Sequence, residues 1–216
     1  MELRRNEFLD DIGKRTRNVL EKNFWILAMV IIGAVGRIAL SVLLPRGSVD
    51  MFAFVALMSI SAGYATRRWI SLLVPVGIMV VSDTFLYLLS GNVYPYSSAL
   101  ILMVVFFVWS GFAMAALIGK TVRRTSEPSF LWFAAGGVWS VLLFDVWTNF
   151  GWWLGPFYPN TIQGLAACFA MAIPFMLWHM ASTLVLIPPF YIGVKAIHKY
   201  ECKAVMSVDA PDVLES

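Results

Sequence analysis

The sequence predicts an all-α, polytopic membrane protein with six transmembrane helices and both ends in the cytoplasm, and three observations carry that prediction. Of the 216 residues, 60% are hydrophobic and only 13% are charged, with a mean hydropathy of +0.76, whereas an ordinary soluble domain is about 25% charged. Apolar runs of membrane-crossing length recur along the chain between short charged clusters. The basic residues sit where short cytoplasmic loops concentrate them. Starting inside, these segments hold Arg4, Arg5, Lys14, Arg15, Arg17 and Lys22, then Arg67 and Arg68, then Lys120, Arg123 and Arg124, then Lys195, Lys199 and Lys203. Only Arg46 is left outside and Arg37 within the bilayer. The formal net charge of +3 therefore reflects topology in a multi-pass protein of the cell (cytoplasmic) membrane, not a face for nucleic acid.

Taken in order, residues 1–22 set Leu3, Phe8, Leu9, Ile12, Val19 and Leu20 among the basic residues at helical spacings. This fits an amphipathic helix on the cytoplasmic interface, with a docking arm as the alternative. The next apolar run, 24–44, has no small-x-small cleavage pattern after it, so a retained helix fits better than a signal peptide. Further spans follow at 51–66, 69–89, 97–118, 130–151 and within 161–196, making a six-helix transmembrane domain over 23–197. The second is short for the roughly 20 residues a crossing needs, which suits an untilted helix or one shielded by its neighbours. The last run is far longer than one crossing, and Pro174 lacks the amide hydrogen that would close the preceding turn. A short or re-entrant segment at about 161–173 is expected, then a crossing from about residue 175 that bends at Pro188 and Pro189. Residues 198–216 read as a cytoplasmic tail, polar and acidic from Met206 on. Cys168 and Cys202 fall at different depths, which argues against a disulfide between them.

Candidate site residues concentrate where charge is scarce. Between Asp145 and Lys195 the chain has no Asp, Glu, Lys or Arg, yet it carries Asn149, His179 and the tryptophans Trp147, Trp152, Trp153 and Trp178. Polar groups in such surroundings need a protein partner, a water-filled cavity or a ligand. Arg37 cannot lose its proton in hydrocarbon and needs an acid. Counted at about 1.5 Å per residue, Arg37, Asp83 and Asp145 lie roughly 20 Å up the first, third and fifth helices. His179 falls at a similar level, and Asn149 sits one turn above Asp145 on the same face. One polar cluster from four helices is thus expected, opening outward, with Trp147, Trp152, Trp153 and Tyr158 as apolar walls. A purely structural knot about Arg37 is the competing reading.

Small residues recur at helix-packing spacing: Gly111, Ala115 and Gly119; Ser59 and Gly63; Gly33 and Gly36. Internal packing or docking of another membrane subunit both account for them. Enzyme signatures are missing: there is no Walker loop, zinc-type His/Glu pair, Gly-x-Ser-x-Gly elbow or Cys pair at metal spacing. The Asp83 and Asp145 contexts lack the tyrosine and glycine neighbours of an intramembrane aspartic protease. His179, Ser182 and Asp145 make a triad only on paper. No enzyme activity, cofactor or metal is expected.

The stretch Thr148-Asn149-Phe150-Gly151, with Trp153-Leu154, Tyr158-Pro159, Thr161, Gly164-Leu165, Cys168 and Ala172-Ile173-Pro174-Phe175, resembles the signature of an uncharacterised family of small prokaryotic membrane proteins. That family is described as similar to the substrate-binding S components of energy-coupling-factor (ECF) transporters. Arg37, Pro75 and Ser82-Asp83 fit the same pattern. The likeness covers approximately residues 30–195. Departures are the loop 45–50, where an Asn-x-Thr-Pro element is usual, and His179 and Ser182, where an acid would be sought. The resemblance implies an outward-facing pocket for a vitamin or similar micronutrient. It also implies docking to a transmembrane coupling subunit driven by two ATPases.

The leading expectation is accordingly a substrate-capture subunit whose site comprises Arg37, Asp83, Asp145, Asn149, His179, Trp147, Trp152, Trp153 and Tyr158. A non-catalytic structural or assembly subunit of a larger membrane complex is the alternative, and a proton-coupled carrier using Asp83 or Asp145 stands third.

Overall fold

A computed structural model describes residues 24–43, 50–65, 69–89, 98–123 and 128–208. Within them the chain forms six helices and no strand: α1 (Phe24–Leu43), α2 (Met51–Ala65), α3 (Leu73–Leu89), α4 (Ser98–Val122), α5 (Phe130–Leu154) and α6 (Ile162–Val208). A single 3-10 turn, Trp69–Leu72, leads into α3. The amphipathic helix expected at 1–22, the loop 44–49 and residues 209–216 lie outside the described residues.

The arrangement is that of a multi-pass membrane protein because its apolar surface is turned outward. Five helices are long and apolar enough to cross a bilayer. They present large exposed side chains such as Ile31 and Val35 on α1, Leu88 on α3, Leu102 and Phe106 on α4, Trp139 on α5, and Leu184 and Val185 on α6. In water such a surface would drive association; in lipid it is the solvated face.

Helix α2 is the exception and the centre. Residues Val55 to Ala65 are all buried, and the helix packs against α3, α4, α5 and α6. A helix apolar on every side belongs inside. Its 15 residues span only about 22 Å. That length suffices because protein, not lipid, surrounds it, which resolves the short second span in favour of shielding by neighbours.

Small residues let α2 approach so closely. A Cβ added at Gly63 would lie 1.9 Å from the Ala116 carbonyl oxygen of α4, and one at Gly119 would lie 2.2 Å from that of Ile60. Near Gly36 of α1 sits the Phe54 ring, and near Gly33 the Ile78 side chain. These small-residue stripes are occupied within the bundle, where van der Waals packing between close backbones replaces the missing hydrophobic drive.

The expected break at Pro174 does not occur. Helix α6 is one element of 47 residues that contains Pro174, Pro188 and Pro189, so residues 161–173 are not a separate or re-entrant segment, and 198–208 are helical. A proline removes one amide donor and bends a helix more readily than it ends one when neighbours hold both halves. Here the buried residues Cys168, Ala172, Thr183, Ile187 and Val194 continue one stripe across Pro174, on a helix packed against α2 and α5. At about 1.5 Å per residue α6 is about 70 Å long, against a hydrocarbon core of about 30 Å, so it projects beyond the bilayer.

Candidate functional site

The polar residues form two clusters, not one. In the first, Arg37 of α1 pairs with Asp83 of α3 at 2.6 Å and donates to Ser82 Oγ at 2.6 Å. Trp109 Nε1 of α4 donates to the other Asp83 oxygen at 3.0 Å. Arg37 is 6% exposed, and its guanidinium is thereby neutralised in place, as a permanent charge in an apolar bundle requires.

The second cluster is centred on His179 of α6. Its Nδ1 donates to Asp145 Oδ1 of α5 at 2.6 Å, while Nε2 faces Asp50 Oδ2 at 3.5 Å, an ion-pair separation. Asp50 is fixed from two directions. Its Oδ1 accepts the backbone amides of Phe52 at 2.6 Å and Ala53 at 2.9 Å, capping the N-terminus of α2. Its own amide donates to Ser182 Oγ of α6 at 3.2 Å. Asp145 is 2% exposed, and its Oδ2 is buried without a hydrogen-bond partner.

A cavity of about 550 Å³ opens beside this cluster. Its polar lining is Asp145, Thr148, Asn149, Cys168 and His179, and its aromatic lining is Phe52, Phe144, Trp152, Phe157, Tyr158 and Phe175. An aromatic column underlies it: Phe144 stacks on Phe112 with centroids 4.4 Å apart, and Phe52 lies 5.8 Å from both Phe144 and His179. On the α5 wall, Asn149 Nδ2 donates to the Asp145 carbonyl at 2.7 Å, which leaves its amide oxygen available. Trp152 packs on Phe157 at 4.9 Å, so the turn after α5 closes one side.

Of the nine site residues expected from sequence, Asp145, Asn149, His179, Trp152 and Tyr158 line this cavity, and Arg37, Asp83, Trp147 and Trp153 do not. The single cluster fails because equal depth does not mean equal direction. Arg37 is taken up by α3, its packing neighbour, before it could meet α5. Trp147 turns to α4, where Nε1 donates to Ser110 Oγ at 2.8 Å and its ring lies 4.9 Å from that of Phe107. Trp153 Nε1 donates to the Pro159 carbonyl at 3.2 Å, bracing the α5–α6 turn. The paper triad is not assembled either, since His179 faces Asp50 and Ser182 accepts the Asp50 amide.

The expected set left out Asp50, and with it the lining residues Phe52, Phe144, Thr148, Phe157, Cys168 and Phe175. An aspartate directly before an apolar run is a helix-start signal, and Asp50-Met51-Phe52-Ala53 has that form. What the sequence does not show is that the carboxyl capping α2 also reaches His179, 129 positions on. Among the described residues no group of three or more His, Cys, Asp or Glu side chains is arranged to hold a metal ion.

Comparison with curated proteins and with solved structures gives no match. A family model matches residues 18–205, which includes every helix that builds the cavity, and the chain belongs to that family, DUF6580, a family of unknown function.

Proposed function

We propose that this protein is a membrane-embedded capture subunit of an importer of the energy-coupling-factor type, binding a vitamin or similarly small micronutrient in the cavity beside Asp145 and His179. One observation carries the reading: a cavity of about 550 Å³ with aromatic walls and a few convergent polar groups. Small-molecule sites take this form and roughly this size, about 300–1,000 Å³. The sequence resemblance in the fifth and sixth helices supports the same reading, because Asn149, Tyr158, Cys168 and Phe175 belong both to that signature and to the cavity lining. In such an importer the transmembrane coupling subunit and its ATPases supply the energy.

Native mass spectrometry of the gently purified protein tests the proposal. The expected spectrum shows a small molecule retained by the wild type and lost in Asp145→Asn, with the variant still monodisperse in detergent. A wild type that carries nothing after purification from rich medium, and that copurifies instead with membrane subunits whose attachment Asp145→Asn weakens, would favour a structural or assembly subunit. The Arg37–Asp83 pair, which lies outside the cavity lining and joins α1 to α3, is the observation in favour of that second reading.

A further inference from the structure

The charge balance of the cavity is altered by where Arg37 goes. With Arg37 and Asp83 included, the expected cluster would hold one fixed positive charge beside two carboxylates. In the structure that charge is neutralised by Asp83 at 2.6 Å, and among the described residues no lysine or arginine lines the cavity. The remaining ionisable groups at its base are Asp145 and His179, with Asp50 behind the imidazole. Two carboxylates thus flank one imidazole, and the formal sum is negative whichever form the ring takes. Asp145 is nine-tenths buried and more, lines the cavity, and has one oxygen that accepts no hydrogen bond. A buried acceptor in that state costs free energy until a donor reaches it. The six aromatic rings of the lining present faces that attract cations and offer nothing to anions.

We infer that the ligand is a small organic cation that carries an N–H, a protonated amine, with Asp145 as its counter-ion and acceptor and the aromatic walls as its cage. This rests on the capture reading and adds the chemical class. Among the described residues an anion would find no fixed positive partner here, because His179 is already engaged by Asp145 and faces Asp50. A neutral ligand could donate to the open oxygen of Asp145, but it would gain nothing from the unbalanced charge.

Three probes of similar size separate these classes: benzylammonium, its uncharged carbon analogue ethylbenzene, and benzoate. Each is titrated against the full-length protein in detergent by thermal shift and calorimetry. Benzylammonium is expected to bind about tenfold or more tightly than ethylbenzene, the size of one charge-assisted contact plus ring attraction, with benzoate weaker still. In Asp145→Asn that ratio should fall to about one. In Asp83→Asn, which removes a carboxylate outside the cavity lining, it should persist. Should Asp145→Asn not fold, the wild-type ranking alone decides. Ethylbenzene or benzoate binding as well as the cation would overturn the cation assignment and leave capture standing. No response to any of the three at millimolar concentration would overturn both.

Discussion

Arg37 and Asp145 show how two buried charges of opposite sign on different helices come to serve different ends. Arg37 has a carboxylate, a hydroxyl and an adjacent helix to hold it, so its role is to tie α1 to α3. Arg37→Met leaves Asp83 without its cation, and partial exposure of Asp83 limits the damage to about 1–3 kcal/mol of stability, below the range for a fully buried pair. The double variant Arg37→Met/Asp83→Leu should recover part of that loss in detergent melting experiments. Neither change should alter binding of a cationic probe at the Asp145 cavity, and a variant that loses binding while still folded would contradict the separation of the clusters. Asp50 carries two duties at once. Asp50→Ala removes the α2 cap, worth about 1 kcal/mol, and also the carboxylate facing His179. Asp50→Asn keeps a capping oxygen, so the two variants should melt at different temperatures, with Asp50→Ala the lower.

Among the elements, α2 and α6 depart most from what their sequences suggest in isolation. The close α2–α4 contact leaves no room for a side chain at Gly63, where the obstacle is backbone and cannot rotate away. Gly63→Leu should therefore lower the melting temperature sharply. A substitution at Gly193, with nothing within 4 Å of an added Cβ, should be tolerated. For α6 the decisive property is continuity. Spin labels at positions 166 and 196, with both native cysteines replaced, should be separated by about 45 Å if thirty residues form one helix. A distance well below that would restore the broken or re-entrant segment. Both helices were legible as helices from their apolar runs. The short second run left shielding of α2 as one of two readings, and the persistence of α6 through Pro174 was not legible, because each depends on which neighbours surround the helix.

For the molecule as a whole, the charge pattern predicts orientation. A fluorescent reporter fused after residue 216 should fold in the cytoplasm, and a phosphatase fused there should be inactive; the reverse result would invert the topology. Placed in that frame, the cavity lies toward the outer side, at the end where α2 begins and α5 turns into α6. Capture from outside requires that placement.

The amino-acid sequence by itself determined the fold class, the six apolar helical runs, the approximate limits of the first five and which residues were too polar for their surroundings. It could do so because hydropathy and charge bias are local properties, summed over about 20 neighbours in the chain. It also marked five of the cavity's residues, since a lone acid, carboxamide or imidazole in an uncharged run stands out wherever it points. Only the tertiary structure decided who partners whom. Depth along a helix follows from counting residues, whereas direction around it depends on packing. Packing turned Arg37 toward Asp83, brought Asp50 across to His179, and left Asp145 with a buried, unpartnered oxygen beside an aromatic cavity.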